Sequence, residues 1–584
     1  MLKTLLKSLR EFKKTSVITM ILSLLEVIFE ILIPLMMADI IDFGIDKGNM
    51  NAVVKYGIAL LIFAVLELIT GMLAAKTAAK ASAGFAANLR QDMYDNVQTF
   101  AFSNIDKLST SSIVTRLTTD VSNIQQAYQM IIRMCMRGPL MILFSMIVSL
   151  RISREISLVF LFLIPVLAVG LIGILRKVHP VFTRVFGTYD KLNNVVQENL
   201  HGIRVVKSFN QQEYEITKFN GISQSIYSDF TKGEKLIALT NPLQQICMYV
   251  CMILISWLGA KAIIASGNNP ALGLTTGNLT ALFSYSMQIL MSLMLLSMIF
   301  AMLTIARSGA ERISELLEEK SDINNPNNPV MTVKDGSIRY QNVEFTYASK
   351  AEKEVIVDAN LEIASGETVG IIGSTGSSKT SFVQLIPRLY DATGGTVFVG
   401  GVDVRSYDLN TLRNAVAMVL QKNELFSGTI KENLRWGNEN ASDEEMIEAC
   451  RLACADEFIS AMPDGYDTRI EQGGANVSGG QKQRLCIARA LLKKPKILIL
   501  DDSTSAVDTK TDALIQKAFA EYIPETTKII IAQRISSVQD ADKIIVLDDG
   551  HINAVGRHTE LLETSDIYRE VFESQQKGNS GDDE

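Results

Sequence analysis

The chain has 584 residues, a formal net charge of −7 and a mean hydropathy of +0.20. This length exceeds that of a single domain, and the hydropathy is too high for an ordinary water-soluble protein. Because the charge is acidic, the composition argues against a nucleic-acid partner. We therefore expect a multidomain membrane protein.

The first 310 residues contain six apolar segments, each close to the roughly 20 residues that cross a bilayer core. The first segment follows several basic residues and is too long for the apolar part of a secretory signal. The sequence therefore predicts a six-helix, all-α transmembrane domain over residues 1–310. The predicted spans are 16–38, 56–76, 134–150, 157–176, 243–264 and 280–303.

Positive charge indicates how these spans are oriented. The long segments between spans two and three and between spans four and five are rich in Lys and Arg, which favours the cytoplasm. Arg151 and Arg154 go against this rule but are outweighed, and the loop at 265–279 has no Lys or Arg. We expect a multi-pass protein of the bacterial plasma membrane with both termini in the cytoplasm.

Charged and sulfur-containing side chains in the spans are candidate substrate contacts. Glu26 and Glu30 share a face of span one, and Glu67 lies in span two. Carboxylates in a membrane are costly, so they indicate either binding of cationic compounds or pairing with a Gln or Arg on a neighbouring helix. A methionine stripe on span six indicates either an adaptable surface for hydrophobic substrates or helix packing. The stripe contains Met287, Met291, Met294, Met298 and Met302.

The six cysteines show no disulfide framework. Two pairs have helical i,i+4 spacing, Cys247 with Cys251 and Cys450 with Cys454. No other ligand cluster accompanies either pair. We therefore expect small buried apolar residues rather than metal ligands.

The C-terminal half has a different pattern. A polar linker at 311–335 precedes residues 336–575, in which strand-like apolar runs alternate with helical stretches. This alternation predicts an α/β domain. Residues 576–584 are acidic and are predicted to be a disordered tail.

A glycine-rich loop in this half predicts phosphate binding. It follows a strand and opens a helix, so its backbone N–H groups would face a phosphate. Lys379 would reach the outer phosphates and Thr380 would hold magnesium. Ser378 stands where the strict pattern has Gly. The ATP-binding candidates here are Gly373, Ser374, Thr375, Gly376, Ser377, Ser378, Lys379, Thr380 and Ser381.

Two further motifs support nucleotide binding. The apolar run Ile497–Leu500 ends in Asp501, as expected of a buried strand that delivers a carboxylate to magnesium. The second motif contains Ser478, which can cap a helix whose N–H groups would meet a phosphate. It consists of Val477, Ser478, Gly479, Gly480 and Gln481. We therefore predict a P-loop nucleotide-binding domain that binds its nucleotide with Mg²⁺.

These motifs, in this order, resemble the ATP-binding cassette family, and the whole chain resembles its half-size exporters. The resemblance implies that Tyr347 stacks on adenine and that Gln421 is the Q-loop glutamine near magnesium. Val477–Gln481 would be the signature motif, which closes over the nucleotide held by the other subunit. Glu471 precedes it in the family's order, and the D-loop would contain Ser505, Ala506 and Asp508.

The resemblance extends to the cytoplasmic segments of the membrane half. Residues 103–106 (SNID) and 209–212 (FNQQ) are similar to the coupling helices of the family. By resemblance, these segments dock on the nucleotide-binding domains and transmit their closure to the spans.

Two positions depart from the family pattern. The family has a Glu directly after Asp501 and a His in a later loop, where this chain has Asp502 and Gln533. Asp is one methylene shorter than Glu, and a displacement of about 1 Å can cost on the order of a hundredfold in rate. Gln can carry neither a proton nor a positive charge. With Ser378, these changes fall in one composite ATP site.

The signature motif, by contrast, is unaltered. We therefore predict a heterodimer in which ATP is hydrolysed mainly at a site where the partner supplies Glu and His, and in which the partner's signature is altered. The assembly would export hydrophobic or amphipathic drugs, lipids or peptides. Two alternatives remain open: a homodimeric exporter with slow ATPase activity, and a channel or membrane sensor that binds ATP without pumping.

Overall fold

A computed structural model describes residues 1–269, 273–347, 354–502 and 507–579. The chain divides into two compact units. The first contains Met1–Gln98 and Thr110–Glu319, and the second contains Thr99–Ser109 and Lys320–Glu584.

The first unit is helical. Among the described residues, six helical stretches are long and apolar enough to cross a membrane, which confirms the six predicted spans. The spanning helices are α2 (Lys13–Asp39), α3 (Met50–Gln98), α6 (Val121–Ile152), α7 (Arg154–His201), α10 (Thr240–Ser266) and α11 (Thr276–Glu318). The others are α1 (Leu2–Lys7), α5 (Thr110–Thr115), α8 (Ile203–Ser208) and α9 (Gln212–Ala238), with π-helical turns at Ile40–Ile45 and Arg116–Asp120.

Several of these helices are much longer than a bilayer requires. Helix α3 has 49 residues, which at 1.5 Å per residue extend for about 70 Å. A hydrocarbon core is only about 30 Å thick. Much of α3 and α7 therefore lies outside the hydrocarbon core, as their polar residues predict.

Small residues let the first helices approach closely. Ala74, Ala78 and Ala81 of α3 are fully buried, and Ala78 and Ala81 pack with Ile132 of α6. Without bulky side chains at such positions, helix backbones can come near each other, which favours packing in a membrane. Beyond the spans, Arg312 of α11 binds both carboxylate oxygens of the buried Asp120, at 2.6 and 2.8 Å.

The second unit contains two main sheets in its described part. A six-stranded sheet has the order β12-β11-β3-β10-β9-β6, with parallel pairing from β11 to β6 and antiparallel β12 at one edge. An antiparallel sheet has the order β2-β1-β4-β5, and β7 pairs with β8. The strands are β1 (Ile338–Phe345), β2 (Ile356–Ile363), β3 (Thr368–Gly373), β4 (Gly394–Val399), β5 (Val402–Asp403), β6 (Val416–Val419), β7 (Gly428–Thr429), β8 (Arg469–Ile470), β9 (Ile497–Asp501), β10 (Thr527–Ile531), β11 (Lys543–Asp548) and β12 (His551–Gly556).

Helices surround these sheets and confirm the predicted α/β class. Strand β9 is buried at all five positions, as its apolar sequence predicts for a central parallel strand. The helices of this unit are α4 (Phe102–Leu108), α12 (Lys379–Gln384), α13 (Leu409–Ala415), α14 (Ile430–Arg435), α15 (Asp443–Leu452), α16 (Asp456–Ser460), α17 (Gly479–Leu492), α18 (Thr509–Tyr522), α19 (His558–Thr564) and α20 (Asp566–Asn579). Helix α20 includes residues 576–579 of the predicted tail, and residues 580–584 lie outside the described residues.

Candidate functional site

The glycine-rich loop lies where the sequence predicts it, between strand β3 and helix α12. Gly373 is required sterically, because a Cβ atom there would lie 2.2 Å from the Leu547 carbonyl oxygen. Lys379 Nζ donates to the carbonyl oxygens of Gly373 and Ser374, each at 2.8 Å. Burial lowers the pKa of Lys379. The loop therefore folds around its own lysine and presents a positive group at the start of a helix.

Ser378 occupies a backbone conformation that favours glycine. Its φ is 70°, in the left-handed region. This conformation costs an L-residue about 1–2 kcal/mol, which explains why the strict pattern has Gly there. The departure at Ser378 thus adds backbone strain to the loop.

Replacing this serine by glycine should stabilise the chain. We expect Ser378→Gly to raise the free energy of unfolding by up to about 1 kcal/mol, since it removes the left-handed strain but adds freedom to the unfolded chain. Denaturant titration of the full chain in detergent, followed by fluorescence, measures the change. Ser377 has no positive φ, so Ser377→Gly is the matched control and should destabilise. Equal destabilisation by both variants would contradict the assignment of strain to position 378.

Thr380 and Asp501 form the candidate magnesium site. Thr380 Oγ1 donates to Asp501 Oδ1 at 3.0 Å. Asp501 is 2% exposed, and its Oδ2 is buried with no hydrogen-bond partner in the described part of the chain. Burial raises the pKa of this carboxyl, and the hydrogen bond from Thr380 opposes that rise. An orphaned buried carboxylate oxygen beside a hydroxyl fits a Mg²⁺ ion bound with ATP phosphates.

Asp502 is held by two glutamine amides. Gln533 Nε2 donates to Asp502 Oδ2 at 2.6 Å, and Gln421 Nε2 approaches the same oxygen at 3.4 Å. The backbone of Asp502 is left-handed, with a φ of 48°, a conformation that Asp tolerates better than most residues. The two departures from the family pattern are therefore in direct contact with each other, and the Q-loop glutamine lies beside them.

Gln575, which no sequence pattern marks as functional, positions Gln533. Gln575 of helix α20 donates from Nε2 to the Gln533 carbonyl oxygen at 2.7 Å. Its Oε1 accepts from the Ile535 backbone N–H at 2.9 Å. The C-terminal helix thus holds the Gln533 loop on both sides. Nothing in the local sequence around Gln575 indicates this role, because the contact joins residues about 40 positions apart.

Tyr347, the candidate adenine contact, lies against the helix of the glycine-rich loop. Its hydroxyl and the Ser381 hydroxyl are 2.7 Å apart. The side chain is 48% exposed, an accessibility that is compatible with stacking on a base. Phe345 contacts the ring edge-on, with centroids 4.9 Å apart.

The signature motif forms the start of a 14-residue helix, α17. Gln481 N donates to Ser478 Oγ at 3.3 Å, and Ser478 N donates to Gln481 Oε1 at 2.9 Å, a reciprocal capping box. Val477 is buried, whereas Ser478 and Gly479 are exposed. The helix therefore presents its N-terminal end to solvent rather than to the rest of its own unit.

The D-loop is described only in part. Ser505 and Ala506 lie outside the described residues. Asp508 begins helix α18 as its cap and accepts from Thr511 N at 2.9 Å and Thr511 Oγ1 at 2.7 Å. These hydrogen bonds lower the pKa of Asp508.

The candidate substrate carboxylates Glu26 and Glu30 form ion pairs with a neighbouring helix. Arg137 of α6 contacts Glu26 Oε1 at 3.2 Å and Glu30 Oε2 at 2.8 Å. Arg133 approaches Glu26 at 3.8 Å. Glu67 is half-buried. Arg137 lies in the predicted third span, and Arg133 directly precedes it. Neither arginine was predicted from the sequence to have a role.

Removing the shared arginine should destabilise this unit. The side chains of Arg137 and Glu26 are 28% and 6% exposed, so Arg137→Leu leaves two poorly solvated carboxylates. We expect a loss of about 3 kcal/mol in the free energy of unfolding. Thermal unfolding of the chain in detergent measures the loss.

Two controls sharpen this result. The triple variant Glu26→Gln, Glu30→Gln and Arg137→Leu should recover most of the lost stability, because no charge is then left uncompensated. Arg151→Leu, an exposed arginine on the same helix, should have little effect. Full stability in Arg137→Leu alone would contradict the structural role of the pair.

Four of the five methionines of the stripe are exposed within the chain, as is the second coupling segment. Met287, Met291, Met294 and Met298 are all exposed side chains of α11. Phe209, between α8 and α9, is 72% exposed. These surfaces are available for lipid, for substrate or for a second subunit.

The described cysteines are reduced, and most are buried. Cys247, Cys251 and Cys450 pack within apolar clusters, and Cys454 is half-buried. In the described part of the chain, no group of three His, Cys, Asp or Glu residues could hold a metal ion.

Comparison with known families matches both halves of the chain. Residues 16–308 match the ABC transporter transmembrane region, and residues 356–505 match the ABC transporter domain. A Bacillus subtilis relative, the uncharacterized ABC transporter ATP-binding protein YfiB, is 36% identical over 573 residues, which cover 98% of each chain. A Mycobacterium tuberculosis relative named fatty acid ABC transporter ATP-binding/permease protein is 33% identical over 485 residues, 83% of this chain and 75% of the relative.

A solved structure shows the same fold. A bacterial Atm1-family ABC exporter with ATP bound superposes with a TM-score of 0.82 and covers 97% of this chain and 98% of its own. The sequence identity is 22%. The chain therefore belongs to the ABC transporters and has the fold of an ABC exporter, in which a six-helix transmembrane region is fused to an ATP-binding domain.

Proposed function

We propose that the chain is one subunit of a heterodimeric exporter, in which its own ATP site holds nucleotide and its signature motif completes the hydrolytic site of the partner. The observation that carries this proposal is the contact between Asp502 and Gln533 at 2.6 Å. The two residues that depart from the family pattern are thus hydrogen-bonded to each other. The signature helix, by contrast, keeps its capping box and its exposed N-terminus.

The hydrogen bond that Asp502 accepts from Gln533 explains why this site should hydrolyse ATP slowly. A general base must lie within hydrogen-bond reach of the attacking water. Asp502 Oδ2 already accepts from Gln533, and Asp is one methylene shorter than the Glu of the family pattern. Gln533 supplies no positive charge for the outer phosphate. Both catalytic contributions are therefore weakened at the same place.

Three residues support nucleotide binding at this site. Lys379 begins helix α12, Thr380 donates to Asp501, and the Tyr347 side chain is exposed. These residues support tight binding of ATP with Mg²⁺, which is the ligand of this family's ATP-binding domain. A site that binds ATP but rarely hydrolyses it would act as a stable clamp between the two subunits.

The signature motif implies a partner with complementary properties. An exposed helix N-terminus is useful to a nucleotide bound by another subunit. The partner should therefore supply a Glu and a His at the positions of Asp502 and Gln533. Its own signature should be altered, because it faces the weakened site. We further propose that Gln421 contributes to the magnesium site with Thr380 and Asp501, and that Ser505, Ala506 and Asp508 form the D-loop.

The substrate is proposed to be hydrophobic or amphipathic, such as a drug, a lipid or a peptide. The relative named for fatty acids supports a lipid-like compound, and the exposed methionine side chains offer an adaptable apolar surface. The ion pairs of Arg137 favour a structural role for Glu26 and Glu30 over direct binding of cations. Glu67 stays a candidate contact.

The proposed setting is the bacterial plasma membrane with both termini in the cytoplasm. We divide the chain functionally into a transmembrane domain (1–310), a linker (311–335), a nucleotide-binding domain (336–575) and a tail (576–584). ATP binding would close the two nucleotide-binding domains and turn the cavity outward, and hydrolysis at the partner's site would reset it.

Transport in inside-out vesicles tests this function. The chain and its partner are reconstituted together, and accumulation of a fluorescent fatty acid analogue and of a lipophilic cationic dye is measured with Mg·ATP. We expect uphill accumulation of at least one probe, which stops when a non-hydrolysable ATP analogue replaces ATP. Movement that only follows the gradient and persists with the analogue would instead indicate a nucleotide-gated channel.

A further inference from the structure

Tyr390 lies at a junction between the nucleotide site and helix α4. It follows α12 in the chain, and its ring meets Tyr347 at 90° with centroids 5.2 Å apart. On another side, the Phe102 ring of α4 lies 6.0 Å away. The Tyr390 hydroxyl donates to Asp106 Oδ2, also in α4, at 2.7 Å. One side chain therefore contacts both the adenine candidate and the cytoplasmic segment between spans two and three.

The hydroxyl group is suited to act as a fixed donor. Burial and the neighbouring Asp106 carboxylate raise the pKa of Tyr390 far above its ordinary value. The phenol therefore stays protonated at any physiological pH. Its hydrogen bond to a carboxylate is charge-assisted, which makes it stronger and more directional than one between neutral groups.

The loop that carries Tyr390 is firmly anchored. Arg388 is buried, and its guanidinium binds both carboxylate oxygens of Asp391, at 2.7 and 3.1 Å. It also donates to the Asn324 carbonyl oxygen in the linker at 3.2 Å. The backbone of Arg388 is left-handed, with a φ of 52°, a conformation that is unfavourable for this residue. The contacts of its side chain offset that conformational cost. These contacts tie the Tyr390 loop to the linker and limit its movement.

Helix α4 is bound to the same linker. Asn104 donates from Nδ2 to the Lys320 carbonyl oxygen at 3.1 Å, and Ser103 Oγ donates to Asp322 Oδ2 at 3.3 Å. Asn104 is 1% exposed and also caps the helix. These hydrogen bonds fix α4 to the chain segment that follows the last membrane helix. Loss of the Asp106 contact would therefore weaken one of several bonds that hold α4, without releasing the helix.

We propose that Tyr390 is a positioning residue that makes the docking of α4 depend on the occupancy of this chain's ATP site. A base stacked on Tyr347 would restrict that ring, which contacts Tyr390 edge-on and is also bonded to Ser381 of α12. The restriction would hold Tyr390 in the geometry that binds Asp106.

The inference rests on the proposed function, since it requires ATP to bind at this site. The non-hydrolysing site would then have a structural function. ATP held there would keep α4 docked through several cycles of hydrolysis at the other site.

Hydrogen–deuterium exchange of the full chain in lipid nanodiscs tests the inference. Exchange of the backbone amides at 102–108 is measured with and without Mg²⁺ and a non-hydrolysable ATP analogue. In the wild-type protein, nucleotide should slow this exchange by about fivefold, the protection expected from one stabilised hydrogen bond. Tyr390→Phe keeps the ring contacts but removes the donor, so the slowing should be lost.

Three further variants separate coupling from folding. Asp106→Leu should reproduce the effect of Tyr390→Phe, whereas Asp106→Asn keeps an acceptor oxygen and should retain the response. Tyr407→Phe is the matched control, because the Tyr407 hydroxyl donates a similar 2.8 Å bond to the Val399 carbonyl oxygen in the same unit. It should leave the response unchanged.

Binding of a fluorescent ATP analogue, measured on the same samples, distinguishes the two proposals. If the wild-type chain binds no nucleotide, the proposed function fails. If the wild-type chain binds nucleotide but Tyr390→Phe and Asp106→Leu still show the full slowing, the inference is overturned. Absence of any slowing in the wild-type chain with nucleotide bound would overturn it as well.

Discussion

Ser478→Arg in this chain should abolish most of the ATPase activity of the assembled exporter. The exposed start of helix α17 would face the partner's nucleotide, and a bulky cation there blocks the phosphate from the helix N–H groups. Loss of such preorganised donors costs on the order of a hundredfold or more in rate. Phosphate release by the reconstituted pair measures the effect.

Asp502→Asn is the matched change in the chain's own site. It removes the charge of the carboxylate held by Gln533 and should leave at least about half of the activity, because effects at the two sites are separate. If Asp502→Asn were as damaging as Ser478→Arg, both sites would be catalytic and the proposed asymmetry would be wrong.

Restoring the family residues at both departures should convert the weak site into an active one. The double variant Asp502→Glu with Gln533→His regains a longer carboxylate and a group that can carry positive charge. General-base catalysis and correct placement are each worth on the order of a hundredfold. We expect the purified chain to gain about a hundredfold in ATPase rate, provided that two copies pair through their intact signatures, which crosslinking verifies.

The single variants should gain much less than the double variant. Gln533 lies 2.6 Å from the Asp502 carboxylate, so Asp502→Glu alone pushes a longer side chain into an amide that still holds it. Gln533→His alone leaves the carboxylate short. A double-mutant cycle should therefore show strong coupling between the two positions. Additive effects, or an inactive double variant that still binds ATP and dimerises, would contradict the account of the impaired site.

The features of the structure that depend on local sequence patterns can be predicted from the sequence. Long, largely apolar segments identify the six spans, and the alternation of strands and helices identifies the α/β domain. Thr380 follows the loop after β3, and Asp501 ends β9. These two strands are parallel and flank β10 in one sheet, so their carboxyl ends lie at the same edge.

Contacts between distant segments could not be predicted in the same way. The pairing of Glu26 and Glu30 with Arg137 depends on how α2 packs against α6, and no periodicity specifies that register. The hydrogen bond from Gln575 to the Gln533 loop depends on where helix α20 packs against the domain. Ser378 is different, since a glycine position in a motif already indicates a positive φ.

The asymmetry between the two ATP sites is tested most directly by comparing the purified chain with the pair that it forms with its partner. ATPase activity is measured for each in the same lipid and at the same concentration of ATP. The account predicts little or no turnover by the chain alone, despite measurable ATP binding, and sustained turnover by the pair. Brisk hydrolysis by the chain alone that Asp502→Asn abolishes would contradict it.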